Sequence, residues 1–335
     1  MSNSGIPWKG GNGSPGEIVD GRFRLEWIVG AGGMGIVWAA KRLDTNEPFA
    51  LKILKSSLDS DADFRRVFRE ARAAMAVHHP NVLGASELLE VSVAEPGQSS
   101  RPVPVIVMPL LSGETLARRL DRAGALPLAE SAGLLLPIVS AIGTAHARGI
   151  VHRDLKPENI FVVSGGGSES PMVLDFGVAK LLGTSWVVST ILTKPGVRVG
   201  TPRYMAPEQA MPGERVDHRA DIWSLGTILY QCLSGIRPIE GDTLKDLLSA
   251  LFDGAITPLG AVASNLPVDL TSLVDRMLWR DIDGRPTLHE VARTLERYTD
   301  VRAAEFGEPV SETSVLIGGD EEPVEAAPLA RRGGS

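Results

Sequence analysis

The chain has little of what secreted, membrane or nucleic-acid-binding proteins depend on. Cys232 is the single cysteine among 335 residues, which excludes an intramolecular disulfide and is typical of a reducing compartment. Residues 1–16 lack the basic start and apolar run of a signal peptide, and no apolar stretch reaches the roughly 18 residues that a membrane helix needs. No Lys/Arg run indicates nucleic-acid binding, and the net charge is −7. We therefore expect a cytoplasmic protein that binds no nucleic acid, with no membrane span in this chain; either the protein is soluble or the chain is a piece of a longer one.

The first third of the chain is predicted to be rich in strands. Residues 22–54 alternate apolar and polar side chains around turn signals, which predicts three antiparallel strands. Residues 82–90 and 104–110 predict two more strands, with an exposed hairpin insertion at 94–102. Between these groups, residues 59–77 carry apolar side chains at helical spacing and predict one helix.

The rest of the chain is predicted to be mostly helical. The strongest helix patterns cover residues 126–148, where Pro137 is a candidate kink, and residues 217–233. A strand-rich part followed by a helical part is typical of an α+β enzyme with two lobes and a cleft between them. The predicted organisation is a disordered segment (1–20), an N-lobe (21–110), a hinge near 109–113, a C-lobe (111–300) and a disordered tail rich in Ala, Glu and Pro (301–335).

A glycine-rich segment, residues 30–37, matches the pattern G-x-G-x-x-G-x-V. Dinucleotide-binding folds use similar glycines, but there the motif opens a helix, whereas residues 36–42 alternate as a strand does. No Gly-Lys-Ser/Thr follows, which excludes a Walker A loop. We therefore interpret the segment as a flexible hairpin whose backbone amides can cover phosphate groups.

The most informative residues lie in the middle of the chain. Residues 152–159 read His-Arg-Asp-Leu-Lys-Pro-Glu-Asn, which puts Asp154, Lys156 and Asn159 on one short loop. Sixteen positions past Asn159, Asp175 begins an Asp-Phe-Gly triplet. Such a set is suited to hold magnesium and nucleotide phosphates beside a hydroxyl that must lose its proton.

On these motifs the chain resembles the eukaryotic-type (Hanks-type) protein kinases over residues 23–298. Lys156, two residues after Asp154, resembles the Ser/Thr class, and the phrases Gly-Gly-Met-Gly and Met-Ala-Pro-Glu-Gln are similar to bacterial members. The resemblance implies a two-lobed protein-kinase-like fold of the α+β class, with a strand-rich N-lobe, a helical C-lobe and an ATP cleft between them. It also implies transfer of the ATP γ-phosphate to Ser/Thr hydroxyls of protein substrates, with Mg2+ as cofactor.

The resemblance assigns a role to each polar residue of these motifs. Asp154 would orient the substrate hydroxyl and accept its proton, and Lys156 would neutralise the transferring phosphoryl group. Asn159 and Asp175 would hold magnesium. Lys52, a lysine among apolar residues on a predicted strand, would contact the nucleotide phosphates and a glutamate of the following helix. Glu70 is the only acid between residues 64 and 77, so we pair it with Lys52.

The resemblance further implies which residues surround the nucleotide. Two positions depart from the common family pattern: Pro109 follows the gatekeeper Met108 where Glu is frequent, and Phe161 replaces a more usual Leu below the adenine. Pro109 has no amide proton, but the resemblance puts the adenine-facing amide on Leu111, so adenine binding can survive. Neither change touches the phosphate chemistry. The implied binding residues are Val29, Gly30, Ala31, Gly32, Gly33, Met34, Gly35, Val37, Ala50, Lys52, Met108, Leu111 and Phe161.

Other segments imply support and regulation. Residues 200–208 resemble the end of an activation loop, a segment that small-molecule kinases generally lack, and Glu208 is expected to pair with Arg285. Asp221 is expected to brace the 152–159 loop, and His152 and Phe176 are expected to pack together. Arg153 precedes Asp154, which is typical of regulation by phosphorylation of the loop. Thr193 is the first candidate phosphosite and Thr190 the second, and self-phosphorylation would involve a transient homodimer.

Three alternatives differ from this interpretation. A pseudokinase scaffold would lack at least one of the key polar residues, and all are present: Lys52, Asp154, Asn159 and Asp175. A small-molecule phosphotransferase is disfavoured by Lys156 and by residues 201–208. A zinc site at His146 and His152 lacks further ligands.

Overall fold

The structure is a computed structural model of the chain. It describes residues 13–32, 35–54, 65, 68, 72, 75–93, 101–165, 168–176, 201–211 and 216–309. Two hydrophobic cores lie within these ranges, one in the N-lobe and a larger one in the C-lobe. The two lobes predicted from the change in sequence pattern thus have separate cores.

An antiparallel sheet forms the described part of the N-lobe, with six strands in the order β1-β2-β3-β4-β6-β5. Its inner face packs around Trp38, Leu51 and Val105, which are at most 1% exposed. The strands are β1 (Ile18–Val19), β2 (Phe23–Gly32), β3 (Gly35–Arg42), β4 (Pro48–Leu54), β5 (Glu87–Val93) and β6 (Arg101–Pro109).

The three strands predicted at residues 22–54 are present, but the two later strands have different bounds. β6 begins at Arg101 rather than 104, although Pro102 and Pro104 read as strand breakers. Pairing with β4 ends at Val105, so both prolines lie where β6 pairs with β5 only and a missing N–H is tolerated. Residues 94–100 of the predicted insertion lie outside the described residues. Of the predicted helix at 59–77, the described residues 65, 68, 72 and 75 are helical, whereas residues 76 and 77 are not, so the predicted end was too late.

The C-lobe begins with a small antiparallel sheet in the order β7-β8-β9 and continues with helices. Thr115, Thr243 and Thr287 each accept a hydrogen bond from the third backbone N–H of the helix that follows, which fixes three helix starts. The strands are β7 (Gly113–Thr115), β8 (Ile160–Gly165) and β9 (Ser168–Val173). The helices are α1 (Leu116–Ala123), α2 (Leu128–His146), α3 (Arg219–Ser234), α4 (Leu244–Phe252), α5 (Leu259–Val262), α6 (Val268–Met277) and α7 (Leu288–Leu295).

Helices α2 and α3 form the centre of the C-lobe. Both are buried on most of their surface, and Cys232 on α3 is fully buried. Pro137 lies inside α2 without ending it. By length and composition, α2 could cross a membrane, but 72% of its most apolar window is buried within the domain. Its apolar composition therefore reflects its place in the core.

The folded domain extends beyond the predicted bounds, residue 21 at one end and residue 300 at the other. Within the segment 1–20, expected to be disordered, β1 pairs with β2, with Val19 fully buried opposite Phe23. Within the tail from residue 301, residues 301–309 are described, and Phe306 packs against the C-lobe core. In both cases a few apolar side chains find a partner in the tertiary structure that composition alone does not reveal.

Candidate active site

The loop of residues 152–159 is held from below by Asp221, which is fully buried in the first turn of α3. One carboxylate oxygen of Asp221 accepts the backbone N–H of His152 and the other accepts that of Arg153, both at 2.8 Å. His146, the last residue of α2, donates from Nε2 to the same carboxylate at 2.8 Å. Arg153 has a positive φ of 64°, unfavourable for a residue with a side chain, and these bonds hold it there.

The charge of Asp221 is stabilised despite its burial. Burial alone would raise the pKa of this carboxyl, but the hydrogen bond and charge of His146 and the contacts with His152 lower it below its usual value. Asp221 therefore stays ionised and fixes two backbone amides of the loop.

Three of the predicted residues meet at one carboxylate. Lys156 Nζ lies 2.7 Å from Oδ2 of Asp154. The side-chain amide of Asn159 donates to the backbone oxygen of Asp154 at 2.7 Å and to its Oδ2 at 3.2 Å. The Asp154 side chain is 11% exposed, so its orientation is fixed while one edge remains open.

Asp175 lies beside this loop. The N–H of Leu174, the residue before it, donates to the Asn159 carbonyl at 2.8 Å. Asp175 Oδ1 lies 2.7 Å from Nζ of Lys52, whose side chain is 5% exposed and reaches across from β4. Lys52 thus has the acidic partner that its burial requires. Glu70, the partner predicted for it, lies outside the described residues, so that pairing stays a prediction.

His152 has a packing role. Its Nδ1 accepts the N–H of Asp154 at 3.3 Å and its Nε2 donates to the Leu174 carbonyl at 3.0 Å, so both ring nitrogens are used in hydrogen bonds to the backbone. The ring packs edge-on against Phe176 with centroids 5.0 Å apart, and both residues are buried. This contact connects the 152–159 loop to the residue after Asp175.

The same residues are suited to magnesium. The amide nitrogen of Asn159 is used by Asp154, so its oxygen Oδ1 points to the other side of the amide group. Asp175 contributes a carboxylate that is 32% exposed. Among the described residues, no group of three or more His, Cys, Asp or Glu side chains forms a metal cage. Mg2+ commonly takes one or two protein oxygens and completes its shell with phosphates and water, and this donor set fits that habit.

The glycine-rich segment forms the β2–β3 hairpin, as the strand interpretation predicted. Gly32 pairs with Gly35, and residues 33–34 between them (Gly33 and Met34) lie outside the described residues. Gly35 has a positive φ of 157°, and a Cβ there would overlap the carbonyl oxygen of Ile53 on β4. Val29, Gly30, Ala31 and Gly32 are exposed, with Val29 50% exposed.

The predicted adenine-side residues lie on three neighbouring elements. Ala50 on β4 is buried and pairs across the sheet with Met108 on β6. Val37 on β3 pairs with Lys52 and is half-buried, as is Leu111, two residues after the end of β6. Phe161 on β8 is half-buried and pairs with Thr115. Glycine is required at position 113, because a Cβ there would overlap the backbone carbonyl oxygen of Val162 and lie 3.0 Å from the Phe161 ring.

The protein kinase domain model matches residues 23–295 of the chain. The chain belongs to the protein kinase family. It is 36% identical over 282 residues to the serine/threonine-protein kinase pkn2 of Myxococcus xanthus, an alignment that covers 83% of this chain and 32% of that protein. It is also 36% identical over 228 residues to serine/threonine-protein kinase PknA of Mycobacterium tuberculosis, covering 68% of this chain and 50% of PknA. This kinase chain thus spans about a third to a half of the length of these relatives.

A solved structure shows the same fold. The crystal structure of the Mycobacterium tuberculosis PknI kinase domain, a double mutant, matches with a TM-score of 0.64 at 22% identity. The match covers 85% of this chain and 98% of that one. The two-lobed α+β kinase fold predicted from the sequence is therefore confirmed.

The kinase C-lobe anchors the segment after the activation loop. Glu208 and Arg285 form a buried two-pronged ion pair at 2.7 and 2.9 Å, as expected. Gln209, to which the sequence patterns assigned no role, donates to the Arg153 carbonyl at 2.8 Å and so connects this segment to the 152–159 loop. Its position directly after Glu208 was the available signal. His146, considered before only as a zinc ligand, instead bonds Asp221.

The predicted phosphorylation sites of the activation loop stay untested. Arg153 donates from Nη2 to the Val216 carbonyl at 3.2 Å, which places its guanidinium near the start of α3. Thr190 and Thr193 lie outside the described residues, so both stay predictions.

Proposed function

We propose that this chain is a protein serine/threonine kinase that uses ATP and Mg2+. The observation that carries the proposal is the set of contacts at Asp154, where Lys156 and Asn159 converge on one partly open carboxylate. The ion pair of Lys52 with Asp175 supports it, because it brings the N-lobe cation to the proposed magnesium ligand. The names of the similar bacterial proteins, serine/threonine-protein kinases, favour the Ser/Thr class.

In this mechanism the chain supplies positioning and charge. Asp154 accepts the proton of the substrate hydroxyl, and Lys156 neutralises charge on the transferring group. Asn159 and Asp175 would hold Mg2+, which when bound would offset the charge of the phosphates. Backbone amides near Gly30 to Gly35 cover the phosphates, while Ala50, Val37 and Phe161 enclose the base. The brace from Asp221 keeps the reacting carboxylate in place, which is the main source of catalysis in such a site.

Several finer points belong to the same proposal. The Glu208–Arg285 anchor supports a segment that docks a peptide, which favours a protein substrate with Ser or Thr acceptors. Self-phosphorylation at Thr193, or second at Thr190, would involve a transient homodimer. The single buried cysteine and the use of ATP favour the cytoplasm.

The test is intact mass before and after incubation with ATP and Mg2+, followed by site mapping and phosphoamino-acid analysis. We expect added phosphate on Ser or Thr for the wild type and a loss of at least about 1,000-fold in rate for Asp154→Asn. Asp44→Asn, an exposed turn carboxylate in the N-lobe, serves as the control and should match the wild type. Equal and negligible labelling by all three proteins would favour a pseudokinase. Transfer to a small molecule but to no protein would favour a small-molecule phosphotransferase.

A further inference from the structure

Residues 299–309 form an extended segment, called the strap below, that lies along helix α2. The strap follows residue 295, where the match to the kinase family ends, and it contains neither helix nor strand. A Cβ added at Gly133 of α2 would lie 3.2 Å from Thr299 and 3.4 Å from Val301. The absence of a side chain at this glycine therefore lets the strap approach the helix closely.

Phe306 anchors the far end of the strap. A Cβ at Gly143, further along α2, would overlap the Phe306 ring. The ring also packs on His289 of α7 with centroids 4.5 Å apart, and His289 Nε2 donates to the Phe306 carbonyl at 3.2 Å. The aromatic ring is thus held between two helices of the C-lobe.

Ser140, between these two glycines on α2, connects the strap to the N-lobe side of the domain. It is fully buried; its hydroxyl donates to the Ala304 carbonyl of the strap, and His79 Nε2 lies 3.0 Å from its oxygen. Since the serine proton goes to Ala304, His79 is the donor in the second bond. His79 Nδ1 in turn accepts the N–H of Asn81 at 3.0 Å. Burial lowers the pKa of His79, which favours the neutral ring that this arrangement requires.

Asn81 continues the connection to the strand that carries Asp175. The side-chain amide of Asn81 donates to the Pro171 carbonyl at 2.8 Å. The backbone carbonyl of Asn81 accepts the N–H of Val173, also at 2.8 Å. The N–H of Leu83 donates to the backbone carbonyl of Val173 at 2.9 Å. Val173 ends β9, two residues before Asp175. A continuous line of hydrogen bonds therefore runs from Ala304 of the strap to Val173, at the end of β9.

We infer that Ser140 is a positioning residue for Asp175 and that the strap holds Ser140 in the required orientation. This inference rests on the proposed function, in which Asp175 holds Mg2+. Without Ala304 as acceptor, a helical serine turns its proton to the carbonyl four residues before it in its own helix. The loop that carries His79 then loses the fixed hydrogen bond from His79 to Ser140 that holds it against β9. The strap is accordingly a working part of this kinase domain, although the family match ends before it.

The first test asks whether the strap occupies its groove, and it uses the full chain throughout. Gly143→Ala should lower the Tm of the wild type, because the new methyl group displaces the Phe306 ring. In a Phe306→Ala background the same change should raise the Tm, because alanine favours helix over glycine. A change of the same sign in both backgrounds would contradict the packing of the strap.

The second test asks whether Ser140 acts on Asp175. Ser140→Ala should raise the Mg2+ concentration that half-saturates ATP binding about fivefold, the effect of one hydrogen bond. Ser131→Ala is the matched control, since Ser131 is fully buried on the same helix and its hydroxyl has no partner in the described part of the chain. Binding is read from the shift in Tm at varied Mg2+, so it does not require transfer activity.

The outcomes separate the two proposals. An unchanged Mg2+ requirement in Ser140→Ala, even with a lower Tm, would overturn the positioning role and leave the kinase proposal intact. Normal Mg2+-dependent ATP binding without phosphoryl transfer in the wild type would contradict the proposed function alone. His79→Gln, which keeps a donor near Ser140, should show a smaller change than His79→Leu.

Discussion

The two sides of the cleft are built differently. The floor, residues 152–159 with Asp175, consists of polar side chains held by the protein: Asn159 is 8% exposed and Asp154 has Lys156 and Asn159 as partners. The roof, the hairpin around residues 29–37, is exposed at Val29, Gly30 and Gly32 and offers mainly backbone amides. The difference suits the task that the proposed mechanism gives to each side. Atoms that must meet a reacting hydroxyl have to be fixed in advance, whereas a cover for phosphates needs only amide groups that can approach them.

Lys52 lies on β4, opposite Val37 of the roof hairpin, and its side chain contacts Asp175 of the floor. Lys52→Met should lower kcat/KM between about 100- and 1,000-fold, because it removes the cation that stabilises phosphate charge in a buried site. Steady-state kinetics with varied ATP measures this loss. Lys41→Met, on the neighbouring strand β3, is the control and should stay within about twofold of the wild type. Equal effects of the two variants would mean that the Lys52 cation has no specific role in catalysis.

The brace below the floor should matter for stability. Asp221→Asn places an amide where two backbone N–H groups and His146 need an acceptor, so we expect a loss of about 2–3 kcal/mol in the free energy of unfolding. Urea denaturation at pH 7 measures it. Asp217→Asn is the control, since the half-exposed ion pair of Asp217 with Arg219 should contribute about 1 kcal/mol or less. If both variants lose the same amount, the brace is not a special feature of the floor.

The same variant has a pH signature. The pKa of Asp221 is lowered in the folded protein, so its ionised form contributes stability above its ordinary value of about 3.8. That contribution is lost as the pH falls through the folded pKa. The gap between wild type and Asp221→Asn should therefore be constant from about pH 5 to 7 and shrink below about pH 4. A gap that grows on acidification would show that the charge is not stabilised by the fold.

The smallest effect is expected below the adenine. Phe161→Leu exchanges one apolar side chain for another in the half-buried floor of the base site, so the Kd for ATP should change by less than about tenfold. Equilibrium binding of ATP with Mg2+ measures it, and kcat should stay near the wild-type value. A large fall in kcat would mean that Phe161 also supports residues 152–159 or Asp175.

Much of the floor could be predicted from sequence, because residues 152–159 are contiguous and Asp175 begins an Asp-Phe-Gly triplet only 16 positions later, so grouping them needs no tertiary information. The brace by Asp221 and the Glu208–Arg285 pair came from family resemblance and could not be found from spacing, since each partner lies far away in the chain. The predicted start of β6 was wrong because residues 101 and 102 end a segment whose composition favours a loop, and only the pairing pattern shows that a proline is tolerated in the strand there.

The strap was missed for a different reason. Its apolar residues have no helical or strand period, so composition favoured disorder. The groove that receives it depends on Gly133, Ser140 and Gly143 facing one side of α2, and the sequence of α2 reads simply as a buried helix. Glu70, Thr190 and Thr193 stay predictions.

The buried thiol of Cys232 has a practical consequence. It is fully enclosed within α3, and burial raises its pKa to about 12, so the folded chain offers no reactive thiolate at neutral pH. Because the sequence contains no other cysteine, one cysteine introduced on the surface would be the only group labelled by a maleimide dye. A dye placed on the strap and another on the hairpin of the roof, in separate proteins, would report the motion of each by fluorescence without any change to the native cysteine.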